Sequence, residues 1–163
     1  MKLVEDEEAT FLFSEKNNHL AFRQGDQVIV SRKIDGKFPN YQQVIPSDNK
    51  LQVQINRDVF QHALKRVALL ADEKSKMVRF DIQSGNIVLT TDTTELGEAR
   101  EEIAIAYSGE DVSVGLNAKY VLDVLSVIDD EEVVLNLKDE KSSCLITSNG
   151  DKDYQSIVMP MRL

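Results

Sequence analysis

LQVQINRDVFQHALKRVALL, residues 51–70, decides the fold. Leu51, Val53 and Ile55 alternate with polar residues, the pattern of a strand with one buried face. From Arg57 the period lengthens, and Val59, Phe60, Ala63, Leu64 and Val67 fall on one side of a helix. Asn56 stands at the junction, where its side chain can cap the first turn. The same grammar returns at residues 112–128, VSVGLNAKYVLDVLSVI, in which Asn117 again divides strand from helix. Asn56 and Asn117 are separated by the same interval as Leu64 and Leu125, so the resemblance is a repeat.

Each helix is followed by three strand patterns. After residues 57–70 come MVRFDI (77–82), NIVLTT (86–91) and EEIAIAY (101–107); after the helix at 118–128 come EVVLNL (132–137), SCLITS (143–148) and YQSIVM (154–159). Two βαβββ units, 51–109 and 111–163, are therefore expected, giving an α+β domain whose sheets pair with both helices on one side. ATFLFS (9–14), HLAFRQ (19–24) and QVIVSRK (27–33) match the three later strands of a further copy. Residues 1–46 thus read as a copy without its front strand and helix, which leaves an apolar sheet face needing cover. Residues 35–50, with Pro39 and Pro46 among polar neighbours, read as a linker.

Composition removes several function classes. No run of roughly 18 apolar residues is present and MKLVEDEE lacks the features of a secretory signal, so no membrane partner and a cytoplasmic location are expected. The formal charge of −9 opposes a simple nucleic-acid binder unless cations gather on one face. Arg57, Gln61 and Lys65, with Arg66 beside them, make such a stripe on the first helix, open to two readings, a solvated face or a ligand-facing one. The second helix is more apolar than a one-sided helix requires, and Tyr120 stands at its start. No catalytic set is recognisable: His19 and His62 are isolated, Cys144 reads as a small buried hydrophobe, and no nucleophile elbow or phosphate-cradling glycine loop occurs. The acidic groups 5–8 and 129–132 fall at element ends and read as solvated turns, so neither a metal nor another cofactor is expected.

The terminus YQSIVMPMRL, residues 154–163, is unusual. Pro160 cannot donate to a ladder, and Met159, Met161 and Leu163 carry no charge. Such a tail either closes a sheet edge or meets a partner.

Three separated motifs, GKFPNYQQVIP (36–46), LNAKYVLDVL (116–125) and IVMPMRL (157–163), resemble the bacterial sliding clamp, the beta subunit of DNA polymerase III. The resemblance implies the DNA-clamp fold, with sheets outside and helices lining a ring. It aligns residues 1–46 with the second half of the middle domain and 51–163 with the complete C-terminal domain. It implies a non-enzymatic processivity factor that encircles duplex DNA without reading sequence, tethering the replicative polymerase, the clamp loader and repair proteins through short apolar peptides of the Gln-x-Leu-x-Leu-Phe kind. The groove for those peptides is implied at Pro39, Val44, Asn117, Tyr120, Ser143, Ile157, Val158, Met159, Pro160, Met161, Arg162 and Leu163. Gln43 stands where a basic residue is common in the family, and Ser75 where an aromatic can occur. Arg57, Lys65 and Arg66 are implied to face DNA, and Leu69, Leu70, Glu95, Glu98 and Glu101 to form the head-to-tail protomer interface, which this piece alone is not expected to close. The alternative is a stand-alone peptide-binding adaptor that does not encircle DNA.

Overall fold

A computed structural model describes residues 10–38, 40–46, 48–93, 97–151 and 153–163. Two compact units result, Met1–Pro39 and Asn40–Leu163. In the first, β1 (Leu12–Lys16), β2 (His19–Gln24) and β3 (Gln27–Arg32) form an antiparallel sheet in chain order. β1 lies later than the expected 9–14 because Asn17 and Asn18, both at positive φ, make the hairpin turn and set Lys16 opposite His19. Phe11 and Phe13 flank Phe22 with ring centroids 5.9 and 5.2 Å away. That face stays open, and Phe11 and Phe13 are each 54% exposed.

The second unit contains β4 (Leu51–Asn56), α1 (Arg57–Ala68), β5 (Met77–Gln83), β6 (Asn86–Thr93) and β7 (Gly97–Ala104), then β8 (Val112–Asn117), α2 (Ala118–Leu125), β9 (Glu132–Leu137), β10 (Cys144–Ser148) and β11 (Gln155–Val158). The strands form two four-stranded sheets, in the orders β11-β10-β9-β4 and β7-β6-β5-β8. The repeats have therefore exchanged their first strands. β4 pairs antiparallel with β9 (Val53 opposite Leu135, Ile55 opposite Val133), and β8 pairs with β5 (Val114 opposite Phe80, Leu116 opposite Val78). Neither sequence repeat closes a sheet on its own.

The strand-to-helix joints follow the sequence. The side chain of Asn56 accepts the Val59 amide at 3.0 Å, and that of Asn117 the Tyr120 amide at 3.2 Å. Phe60, Ala63, Leu64 and Val67 bury one face of α1, while Ala118, Val121 and Leu125 do so for α2. The helices pack on one another, and each touches strands of both sheets. Val59, assigned inward by periodicity, is 51% exposed.

Both helices end before their expected last residues. Leu69, Leu70 and Ala71 donate three residues back instead of four, so α1 tightens into a 3₁₀-like turn, and Val127 does the same after α2. β7 also starts earlier than the expected 101–107, because its ladder with β6 runs from Ala104 opposite Asn86 back to Gly97 opposite Thr93. Tyr107 falls beyond the strand, buried, with its hydroxyl donating to the Glu110 carbonyl at 2.7 Å.

The stretch expected to start as a linker at residue 35 instead packs on the second unit from Asn40 onward. Tyr41–Gln43 form a 3₁₀ turn, Lys50 N–H donates to the Leu137 carbonyl at 3.1 Å, and Lys138 pairs with Asp48 at 2.7 Å. The Lys138 hydrogen bond holds Asp48 below the usual carboxylate range.

Phe60 and Phe80 meet edge to face at 6.1 Å between the first helix and the second sheet, both fully buried. Phe60→Ala should destabilise the second unit by about 3–5 kcal/mol. Because the repeats share their sheets, circular dichroism during urea denaturation should follow both halves of that unit in one shifted transition; two separated transitions for its halves would contradict the strand exchange.

Candidate partner-binding site

β11 is an edge strand, and the chain leaves it at Met159 without turning back. Pro160 lacks a donor, so the ladder stops there. The tail then crosses to the other sheet. Met161 N–H donates to the Gly115 carbonyl at 2.8 Å, an antiparallel bridge on the free edge of β8. Because the bridge is antiparallel, the chain before Met161 runs toward Asn117 and the start of α2.

This arrangement brings together part of the expected groove, Pro160, Met161, Arg162 and Leu163. Met159 and Leu163 are 58% and 57% exposed, and Tyr120 is 59% exposed at the first turn of α2. Pro160 and Met161 are half-buried, and Arg162 is exposed. Asn117 does two jobs: beyond capping α2, its amide donates to the Ser75 carbonyl at 2.8 Å. Ser75 contributes its backbone there, and its own amide donates to the Asp72 carboxylate at 2.7 Å. Ser143 donates through its hydroxyl to the Val44 carbonyl at 3.1 Å, which holds the 42%-exposed Val44 side chain near β10. Gln43 lies in the adjoining 3₁₀ turn. Ile157 sits half-buried opposite Leu145, whereas Val158 is 3% exposed and belongs to the core opposite Cys144. Pro39 lies outside the described residues.

Two depressions meet at the terminus. One of about 690 Å³ is lined by Glu140, Lys141, Pro160, Met161, Arg162 and Leu163. The other, of about 340 Å³, is lined by Asp72, Ser75, Met77, Arg79, Thr90, Thr91, Thr93, Glu98 and Leu163. Sequence reasoning missed Gly115, Met77, Glu140 and Lys141. Only Gly115 carried a signal, since a glycine inside a strand marks close backbone approach.

The cationic stripe on α1 is less free than its sequence suggests. Arg57 donates to the Ile128 carbonyl at 2.6 Å and pairs with Asp58 at 2.9 Å, its side chain 24% exposed. Arg66 forms two hydrogen bonds with Glu101, at 2.6 and 3.1 Å. Lys65 is exposed and, among the described residues, reaches only the neutral Gln61, at 3.1 Å. A residue expected to face DNA and one expected at the protomer interface are thus partners of each other. Leu69 is 78% exposed at the end of α1, Leu70 is half-buried, and Glu98 lies exposed on β7, the free edge of its sheet. Glu95 lies outside the described residues.

Burial pushes the Cys144 thiol up to about 12, so it is a core side chain and not a nucleophile. Asp130 is held low by hydrogen bonds from the Ser148 hydroxyl and the Gly150 amide, the signature of a loop fastening. Among the described residues, no group of three or more His, Cys, Asp or Glu could hold a metal ion, and no helix is long and apolar enough to cross a membrane.

Comparison with known proteins identifies the family. The family described as "DNA polymerase III beta subunit, C-terminal domain" matches residues 42–162. The chain belongs to this family. The beta sliding clamp of Pseudomonas putida is 35% identical over 162 residues, which are 99% of this chain and 44% of that protein. The crystal structure of the DNA polymerase III subunit beta from Pseudomonas aeruginosa superposes with a TM-score of 0.86 at 32% identity, covering 99% of this chain and 44% of that one. A Pseudomonas aeruginosa sliding clamp bound to griselimycin gives 0.79 at 34% identity, over 93% and 41% of the two chains. The fold is that of the sliding clamps, and the chain spans less than half the length of these relatives.

The Arg66–Glu101 pair is open to a direct check. Arg66 holds the Glu101 carboxyl below its ordinary value of 4.5, so the pair's stabilising contribution is present above that pH and lost as pH falls through the lowered midpoint. Carboxyl NMR titration should show Glu101 titrating below 4.5 in the native chain and returning toward 4.5 in Arg66→Ala. An unchanged Glu101 midpoint in that variant would contradict the pairing.

Proposed function

We propose that this chain works as part of a DNA-replication sliding clamp, a non-catalytic processivity factor that encircles duplex DNA and tethers the replicative polymerase and other clamp-binding proteins. The observation that carries this reading is the C-terminal tail. Met159 and Leu163 stand more than half exposed on a tail whose backbone is bridged to the edge of β8, and Tyr120 is equally exposed in the first turn of the helix that β8 leads into. Methionine adapts to varied apolar contacts, an aromatic ring offers a flat anchor, and proline stiffens the approach. Arg162, exposed between Met161 and Leu163, supplies a charge-assisted donor for an acidic or amide group on a peptide. An extended apolar peptide of the Gln-x-Leu-x-Leu-Phe kind fits these demands.

Titration calorimetry with such a hexapeptide tests the site. The full chain should bind it measurably, and deletion of Met159–Leu163 should abolish binding while circular dichroism retains the signal of the folded second unit. Unchanged affinity after the deletion would remove the assignment.

The DNA-facing role rests on Lys65 and Arg66, with Arg57 contributing mainly to the junction between the helices. Glu101 neutralises part of the Arg66 charge, and the net charge of −9 opposes encounter with phosphates. Affinity for DNA should accordingly be weak, sequence-independent and lost steeply with salt, retention being topological in a closed ring. The ring contact belongs at the free edge of β7 with Leu69, Leu70, Glu98 and Glu101. Fluorescence anisotropy with a labelled duplex at low salt should register weak binding that Lys65→Glu with Arg66→Glu eliminates; a salt-insensitive complex specific for one sequence would overturn this part.

A further inference from the structure

β8 carries its glycine in mid-strand, between Val114 and Leu116, which are 1% and 0% exposed in the core. Strand alternation then turns position 115 to the opposite face of the sheet. Positive φ accounts for Gly25, Gly36, Gly85 and Gly97, and Gly115 does not share it. Its backbone is ordinary strand, which any residue adopts, and glycine there forfeits packing and strand propensity. What requires glycine is space. A Cβ at position 115 would lie 3.0 Å from Leu163 Cδ2, 3.1 Å from the Met161 carbonyl oxygen and 3.4 Å from Met77 Sδ. The leucine methyl can swing aside. The carbonyl cannot, because the same residue's N–H is fixed by its 2.8 Å hydrogen bond to the Gly115 carbonyl.

We infer that Gly115 is a positioning residue of the partner-binding groove: its missing side chain lets the C-terminal tail dock on the β8 edge and thereby fixes Met161 and Leu163 for the partner peptide. The inference rests on the partner-binding reading for its consequence, and on geometry alone for the docking itself. One backbone bridge holds the tail to β8, so lifting the chain at this point leaves no second rung to retain it. Leu163 lines both depressions at the terminus, and its displacement changes both at once. A side chain at position 115 thus acts at a distance from the peptide by moving the wall that the peptide meets.

Gly115→Val and Gly115→Ala in the full chain separate this role from a structural one. Valine suits a strand, so the variant should keep the circular dichroism of the folded second unit. Hydrogen exchange at the Met161 amide, read by NMR, should accelerate at least tenfold in Gly115→Val, and hexapeptide affinity in calorimetry should fall at least tenfold. Gly115→Ala should give the same changes to a smaller degree, and it carries the test if the valine variant does not fold. Native exchange at Met161 together with native affinity would overturn the inference. If the native chain fails to bind the hexapeptide, the partner-binding reading fails, while accelerated exchange would still establish the docking role and native exchange would still refute it.

Discussion

The exchange of first strands between the repeats is the constraint on which the second unit depends. β4 and β8 each lead directly into a helix through a capping asparagine, and each then pairs with a strand of the other repeat. The core is consequently one body: Val53 and Ile55 from the first repeat lie opposite Leu135 and Val133 from the second, and Val114 and Leu116 reciprocate with Phe80 and Val78. A half-unit would leave a sheet edge unpaired and a helix face uncovered, the condition in which isolated strands are marginal at best.

The exchange also creates the site. It makes β8 and β11 the edges of different sheets, and only a tail leaving one edge can close on the other. Asn117 sits where these demands converge, ending β8, capping α2 and holding the Ser75 carbonyl. The apolar tail is therefore held by a backbone bridge at Met161 while Met159 and Leu163 stay more than half exposed, which suits a surface that receives extended peptides. Charge is handled in the reverse way. Arg57 and Arg66 are drawn into contacts within the unit, with the Ile128 carbonyl and Glu101, so the apparent cationic stripe on α1 contributes less free positive charge than its sequence implies.

The first unit carries a different balance. Its hairpins are specified locally, by Asn17, Asn18 and Gly25 at positive φ, yet Phe11 and Phe13 stay exposed beside Phe22. Local turn chemistry settles which residues pair. It does not supply the opposing layer that buries an aromatic face.

The sequence by itself determined the elements and the repeat, because hydrophobic period and capping are local: alternation at Leu51–Ile55, helical spacing at Phe60–Val67, and asparagine at both joints. It also marked the terminus, since Met159, Pro160, Met161 and Leu163 have no local reason to stand together. Three family motifs pointed to candidate groove residues that no pattern of spacing could have assembled. Only the tertiary structure decided which strands pair, because the apolar faces of β4 and β8 satisfy either repeat equally well until both helices must be covered together. It likewise placed Val158 inside and Val59 outside, joined Arg66 to Glu101, and turned Gly115 from an apparent weakness of a strand into the space the tail requires. Those outcomes depend on distances between segments far apart in the chain, and residue order alone does not contain them until the core has closed.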